Sequence, residues 1–513
     1  MSTQKTAPHV GREQWTGQLG FLLAAVGSAV GLGNIWRFPG VAYENGGGAF
    51  LVPYLVALLT AGIPFLLLDY SLGHRFRGGA PTVFRRLGRR FESVGWFQVA
   101  ASFIIATYYT AIIVWALRYT FFSVNLAWGE DPATFFVEDF LHDAGPTLTT
   151  DIVGGLFWPL LGVWIAALLV VGLGVSRGIE KTTKVFIPLL LVMFLILVVR
   201  ALFLEGAVEG LDTFFTPNWA ALGDPAVWIA AYSQIFFSLS IGFGIMITYA
   251  SYLRRRANVV RVGYVAAFAN SSFELLAGIG VFATLGFMAA QQGVGVGDLE
   301  GITGVILSFI TFPQIISMMP GGPIFGVLFF GSLVLAGFTS LVSILQVVSA
   351  AVQEKFGLSR VQAVAAVGGL AAVISLALYS TTSSLAVLDT VDKYTNEVGV
   401  IVSAIVACVL VGVVTRQLPN LQAHLNAIST ARVGTWWRVL VGYVVPLALG
   451  YVFIRGLIEL VTVPYGEYPW AFVNAAGWGA VGFLVLVAVV LPLLPWRRPV
   501  DDFVPESLEG RLS

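Results

Sequence analysis

Apolar residues in this chain come in long unbroken runs, with no short alternating stretches. Twelve runs are marked, near 17–41, 48–74, 95–124, 152–174, 183–204, 228–252, 258–290, 320–353, 359–379, 389–415, 433–461 and 467–495. Each reaches the ~20 helical residues needed to cross a ~30 Å hydrocarbon layer. Backbone in lipid must close its own hydrogen bonds, and the alternation of barrel strands is missing, so the runs are read as helices. The fold class is an all-α integral membrane protein with 12 transmembrane helices.

Two runs are interrupted at mid-span by glycine and small polar residues. In the first the cluster is Gly27-Ser28-Ala29-Val30-Gly31-Leu32-Gly33-Asn34; in the sixth it is Ser238-Leu239-Ser240-Ile241-Gly242-Phe243-Gly244. A single cluster would be explained by close packing of small residues. Two matching clusters point elsewhere, because they free backbone groups at the depth where that is most costly. Two five-helix repeats, 17–204 and 228–415, followed by a pair of helices at 433–495, put the clusters in corresponding helices. Five is odd, so the second repeat is inverted, and paired interrupted helices in inverted halves mark the central site of a transporter. A broken helix offers N–H groups at one end and carbonyls at the other, which suits a zwitterion and a cation together. No Asp, Glu, Lys or Arg lies within either break, so a cation there is held by neutral oxygens, a donor set suited to a hard ion such as Na⁺.

Charge between the runs alternates. One set of connections is basic, with His74-Arg75, Arg77, Arg85-Arg86 and Arg89-Arg90, then Arg177, Lys181 and Lys184, then Arg254-Arg255-Arg256 and Arg261, then Lys355 and Arg360, Arg432 and Arg438, and Arg497-Arg498. The other is acidic or nearly neutral, with Glu130, Asp131, Glu138, Asp139 and Asp143, then Glu205, Glu209 and Asp212, Asp298 and Glu300, and Glu467. The excess of Lys and Arg assigns the first set, and both termini, to the cytoplasm of a protein in the cell (inner or plasma) membrane.

Composition narrows the classes further. Of 513 residues 57% are hydrophobic and 11% charged, against roughly a quarter charged in soluble domains. Lys plus Arg equals Asp plus Glu at 28 each, so no nucleic-acid partner is indicated. Cys408 is the single cysteine, lies in the tenth run, and is expected to pack there. The segment with Lys5, Arg12 and Glu13 lacks the apolar stretch of a cleaved signal peptide. The four histidines, His9, His74, His142 and His424, are placed in termini or connections, so no nucleophile and base cluster and an enzyme is not expected. Oligomeric state is not readable.

The stretch Gly27-Ser28-Ala29-Val30-Gly31-Leu32-Gly33-Asn34-Ile35-Trp36-Arg37-Phe38-Pro39, followed by Glu44-Asn45-Gly46-Gly47-Gly48-Ala49-Phe50, resembles the first-helix signature of the neurotransmitter:sodium symporter family. The resemblance continues through Ala106-Thr107-Tyr108-Tyr109, Gln234 to Ser240 and Ala336-Gly337-Phe338-Thr339-Ser340, and is nearest to the bacterial LeuT-like amino-acid branch. It implies the LeuT fold, with helices 1 and 6 unwound at mid-membrane, two Na⁺ sites and no organic cofactor. One Na⁺ is expected at Ala29, Asn34, Ser238, Asn270 and the substrate carboxylate; the other at Gly27, Val30, Ala336, Thr339 and Ser340. The amino-acid pocket is expected to comprise Ser28, Ala29, Leu32, Gly33, Ile105, Tyr109, Phe237, Ser238, Ser240, Phe243, Ser340 and Ile344. Tyr109 is expected to bond the carboxylate, Phe237 to act as a lid, and Arg37 to pair with Asp392 as the outer gate. Asn34 and Asn270 could equally be interhelical hydrogen bonds, and Tyr109 an interfacial aromatic, if the pattern were ignored.

Glu274 follows Asn270 by one turn and faces the same way. The resemblance assigns it the place of a chloride ion, beside Tyr54, Gln234 and Ser238, and a possible role in proton counter-transport. Asp69 stands where relatives carry Glu and is expected to prop the broken segments. Monoamine carriers have Asp where this chain has Gly31, and γ-aminobutyric acid carriers have glycine where it has Leu32. The implied activity is therefore chloride-independent, sodium-coupled symport of a neutral, hydrophobic L-α-amino acid by alternating access. The alternatives are a proton-coupled amino-acid carrier of the same fold and a non-transporting amino-acid sensor; the acidic tail after Arg498 adds no signalling domain.

Overall fold

The computed structural model describes residues 13–503. Its backbone is helical, with isolated bridges Gly47 to Pro217 and Ile152 to Thr381 and no strand among the described residues. Ten helices are continuous, long and apolar enough to cross a membrane: Leu51–Phe76, Arg89–Phe122, Gly154–Gly172, Val175–Leu202, Val259–Gln292, Gly322–Phe356, Arg360–Tyr379, Ser384–Val414, Thr435–Glu467 and Trp470–Leu493. The first span is Gln18–Ala29 plus Gly33–Glu44, bent by 54°. The sixth is Pro225–Ser238 plus Ile245–Ser251. The twelve spans correspond to the twelve apolar runs.

Burial sorts them into layers. The third span (Arg89–Phe122) runs beside the eighth (Gly322–Phe356) through the middle of the bundle, and the two broken spans lie against them. The fifth, eleventh and twelfth spans are peripheral. Leu191, Leu195 and Val199 of the fifth and Val485, Leu486 and Val489 of the twelfth are exposed. Apolar surface of that extent is unfavourable in water and matches a hydrocarbon environment.

The two breaks have different backbone causes. In the first span the chain leaves the helix at Val30, φ −72° and ψ 88°, and resumes at Gly33. In the sixth, Gly242 and Gly244 adopt φ +89° and +84°, conformations open to glycine at little steric cost. Ser240, two residues before Gly242, is also left-handed at φ 52°. Its hydroxyl donates to the Ser28 carbonyl at 2.9 Å, so a bond to the other break holds it there. Asp69 of the second span is buried with its carboxyl facing the Gly242 backbone.

Two features of the basic face depart from the sequence reading. His74 lies in the last turn of the second span, not in a connection, and His424 lies on a short helix, Leu418–Ile428, within what reads as a loop. Both rings are buried and meet at 2.9 Å between His74 Nδ1 and His424 Nε2. His142 is exposed in a connection as expected, and His9, Lys5 and Arg12 lie outside the described residues. The segment after the twelfth span is docked as far as it is described. Trp496 Nε1 donates to Glu92 at 2.9 Å, and Asp501 pairs with Arg85 and Arg89.

Candidate functional site

The two breaks face each other across a small central space of about 40 Å³. Eleven of the twelve sequence-predicted pocket residues line it: Ser28, Ala29, Gly33, Ile105, Tyr109, Phe237, Ser238, Ser240, Phe243, Ser340 and Ile344. Gly31, Asn34 and Asn396 complete the lining. Gly31 admits no side chain, because a Cβ there would lie 2.8 Å from both Ser340 Oγ and the Tyr109 hydroxyl. Leu32 is the exception. Its amide donates to the Tyr109 hydroxyl at 3.1 Å, but its side chain turns away and packs beside Gly337 of the eighth span. At a break the helical phase is lost, so sequence spacing does not give the direction of a side chain.

Backbone polarity at the first break is divided between the two sides. The Gly31 amide donates to Asn34 Oδ1 at 3.0 Å. On the other side the Ser28 carbonyl accepts from Ser240 and, at 3.1 Å, from Ser340, which also reaches the Gly27 carbonyl at 3.4 Å. Among the described residues the Ala29 and Val30 carbonyls accept no hydrogen bond. Buried carbonyls without partners are rare in folded proteins and call for an explanation.

The expected ion ligands converge in two groups. Asn34 Nδ2 donates to Asn270 Oδ1 at 2.9 Å, and Asn270 Nδ2 to Ser238 Oγ at 3.3 Å, with Ala29 in the same lining. Ser340 brings the eighth span onto Gly27, while Thr339 donates to Ala336 at 3.0 Å one turn away. Behind the first group, Glu274 accepts from Tyr54, from Gln234 Nε2 at 2.6 Å, from Ser238 at 3.4 Å and from Asn270 at 3.5 Å.

The expected gate is only partly assembled. Arg37 and Asp392 make no direct ion pair: the guanidinium lies over the Phe237 ring, 4.3 Å from its centroid. Asp392 Oδ1 instead accepts from Asn396 Nδ2, one turn along its own helix, at 2.8 Å. The two charges remain within electrostatic reach of each other. Toward the acidic face a recess of about 570 Å³ opens, lined by Arg37, Glu44, Lys393, Glu397, Arg455 and Glu459 among others. Arg455 and Glu459 are charges inside the eleventh apolar run, a signal present in the sequence that the reading passed over.

A profile described as the Sodium:neurotransmitter symporter family matches residues 12–139 and 130–498. The chain belongs to the sodium:neurotransmitter symporter family. Within it, an uncharacterized sodium-dependent transporter of Methanocaldococcus jannaschii is 39% identical over 468 residues, covering 90% of this chain and 94% of that one. A sodium- and chloride-dependent GABA transporter 2 of Bos taurus is 34% identical over 362 residues, which are 64% of this chain and 60% of that transporter's length. The crystal structure of MhsT in complex with L-phenylalanine superposes with a TM-score of 0.73 at 34% identity, over 87% of this chain and all of that one. The family assignment makes this chain a sodium-coupled, multi-pass membrane transporter and not an enzyme.

Proposed function

We propose that this symporter carries a neutral, hydrophobic L-α-amino acid into the cell together with Na⁺, by alternating access and without a chloride requirement. The observation that carries the reading is the pairing of opposite polarities at one break. The Leu32 amide and Tyr109 hydroxyl stand on one side, and the unpaired Ala29 and Val30 carbonyls on the other. An amino-acid carboxylate fits the first and Na⁺ the second, with two ions, one per converging group. Ile105, Phe243 and Ile344 supply apolar walls, which favours an uncharged side chain. MhsT, the solved relative, is bound to L-phenylalanine. Phe237, at the edge of this lining, is the side chain placed to cover a bound amino acid.

Glu274 supports chloride independence, since a carboxylate already stands among the Tyr54, Gln234 and Ser238 donors. The same buried carboxyl is the candidate for proton counter-transport. The alternation of basic and acidic connections supports a cytoplasmic basic face and cytoplasmic termini in the cell membrane, and the two interrupted spans are read as equivalents in inverted repeats 17–204 and 228–415. A binding screen of the twenty amino acids against purified protein in NaCl, KCl and sodium gluconate tests the substrate, sodium and chloride parts of this reading. The expected result is saturable binding of aliphatic or aromatic amino acids in both sodium salts and none in KCl. Binding in KCl that depends on pH instead would favour the proton-coupled carrier.

A further inference from the structure

Away from the central site, a second cavity of about 250 Å³ opens on the side of the bundle, between the third, ninth, tenth and twelfth spans. Its walls include Ile104, Ile374, Leu378, Val391, Ala480 and Phe483. The Phe483 ring stacks on Phe103 with centroids 5.7 Å apart, and Thr107, the hydroxyl-bearing wall residue on the third span, spends its donor on the Ile104 carbonyl at 2.6 Å. Leu148, from the connection between the third and fourth spans, overhangs the end nearer the acidic face. That connection is anchored: the Val153 amide donates to the Ser380 carbonyl at 2.7 Å and Ile152 bridges to Thr381.

The surroundings identify the occupant. A largely apolar cavity of this size holds water poorly, because each water needs several polar partners and the walls offer little beyond the hydroxyls of Thr107 and Tyr379, which lie within reach of each other. The same helices carry exposed apolar side chains, Leu370 and Val373 of the ninth span and Val485 and Val489 of the twelfth, which belong to the hydrocarbon-facing surface of the bundle. We propose that the crevice is a binding slot for the acyl chain of a bilayer phospholipid from the leaflet on the acidic face. The inference rests on the membrane-spanning fold alone and is independent of which amino acid is carried. The slot shares two walls with the central site. The turn of the third span that turns Ile104 toward the crevice carries Ile105 to the pocket, and Val391 precedes Asp392 on the tenth. An acyl chain in the slot therefore packs behind the helices that carry Tyr109 and Asn396.

The test uses the full chain reconstituted in phosphatidylcholine vesicles that contain a trace of phosphatidylcholine bearing a diazirine in its acyl chain. After irradiation and digestion, adducts are expected on the segments around 374–379, 387–391 and 475–483, several-fold above the equally exposed face of the fifth span at Leu191 and Leu195. Ala480→Trp fills the slot and Ala476→Leu narrows it; both are expected to bring the adducts down to the fifth-span level while leaving sodium-dependent amino-acid binding intact as the check on folding. Two results overturn the proposal. One is labelling in the unsubstituted chain no higher than at the fifth span, whether the crevice is closed in the bilayer or covered by a second copy of the chain. The other is enrichment that persists in both variants, which would place the reacting chain outside the slot.

Discussion

Gly33 lies directly beneath the ring of Phe237, so close that a Cβ at position 33 would overlap Cε1 and Cδ1. The same ring lies under the Arg37 guanidinium, 4.3 Å from its centroid. Backbone, lid and gate charge thus meet at one ring, and the approach of the Gly33 backbone to it depends on the absence of a side chain there. Gly33→Ala is expected to lift the ring and weaken amino-acid binding at least about tenfold, or ~1.4 kcal/mol, without loss of expression. Gly33→Ala combined with Phe237→Leu, which trades the ring for a smaller group, is expected to regain part of the affinity. Equal binding by the single variant and the unsubstituted protein in a sodium-dependent binding assay would remove the lid from its proposed place.

Glu274 collects donors from three helices, and replacing it leaves them without an acceptor. Glu274→Ser strands Tyr54 and Gln234, and each buried group left unpaired costs about 1–3 kcal/mol. In chloride-free medium the variant is expected to lose sodium-driven uptake by roughly 10- to 100-fold, and added chloride is expected to restore a share of it by taking the vacated position among the same donors. Uptake in gluconate and chloride media, for both proteins, reads this directly. A requirement for chloride in the unsubstituted protein, or indifference to chloride in the variant, contradicts the assignment.

Helix number and the two breaks were legible because each rests on a local rule. Twenty apolar residues must be helical in lipid, and Gly242 and Gly244 cluster because the chain there needs positive φ. The convergence of Asn34, Ser238 and the Asn270–Glu274 turn was legible from the family signature, since they lie on three separate stretches that nothing local brings together. What escaped depends on direction after the helical phase is lost. Leu32 was expected in the pocket and points at Gly337 instead. Asp392 was expected on Arg37, yet Asn396, four residues along the same helix, supplies a nearer partner. The helix Leu418–Ile428 was hidden by its polar residues, and His424 with it.

Lys355 is fully buried, at 0% side-chain exposure, where an unpaired cation would not be tolerated. Its Nζ lies 2.6 Å from Glu92 and sits over the rings of Trp96 and Trp496, so the segment after the twelfth span closes over the ion pair. Lys355→Met is expected to lower stability by about 3 kcal/mol, the lower end for breaking a buried pair, because Arg85 still reaches Glu92 at 2.7 Å. Thermal unfolding in detergent measures it, and an unchanged midpoint would make the pair dispensable. The outer clasp carries a pH signature of its own. Hydrogen bonding from Arg85 holds the Asp501 carboxyl below the usual carboxylate range. A depressed folded pKa means that its contribution is complete above the unfolded value of ~3.9 and is lost only as pH falls through the folded one. Proteolytic release of the segment should therefore be flat between about pH 5 and 8 and should be higher across that range in Asp501→Asn.

Tyr109 supplies the acceptor for the Leu32 amide, one of the two N–H groups that the first break exposes toward the pocket side. Tyr109→Phe keeps the ring, which is buried, and removes only the oxygen. The Leu32 amide then has no partner until a substrate carboxylate arrives, and the carboxylate loses the hydroxyl that would have met it. The first change strengthens the pull on an anion and the second weakens its grip, so the two oppose. A hydrogen bond to a charged group is worth about 1.5–3 kcal/mol, more than a neutral amide bond to a hydroxyl. The balance therefore falls toward weaker binding, by roughly tenfold in amino-acid affinity. The residues gathered around Asn270 are untouched by the change, and Ser340, which the hydroxyl also approaches, keeps its bonds to the Gly27 and Ser28 carbonyls, so sodium dependence is expected to persist. Titration of amino acid into the variant at saturating Na⁺ decides the matter. Affinity equal to that of the unsubstituted protein would show that the hydroxyl only secures the break, and would move the carboxylate to another part of the pocket.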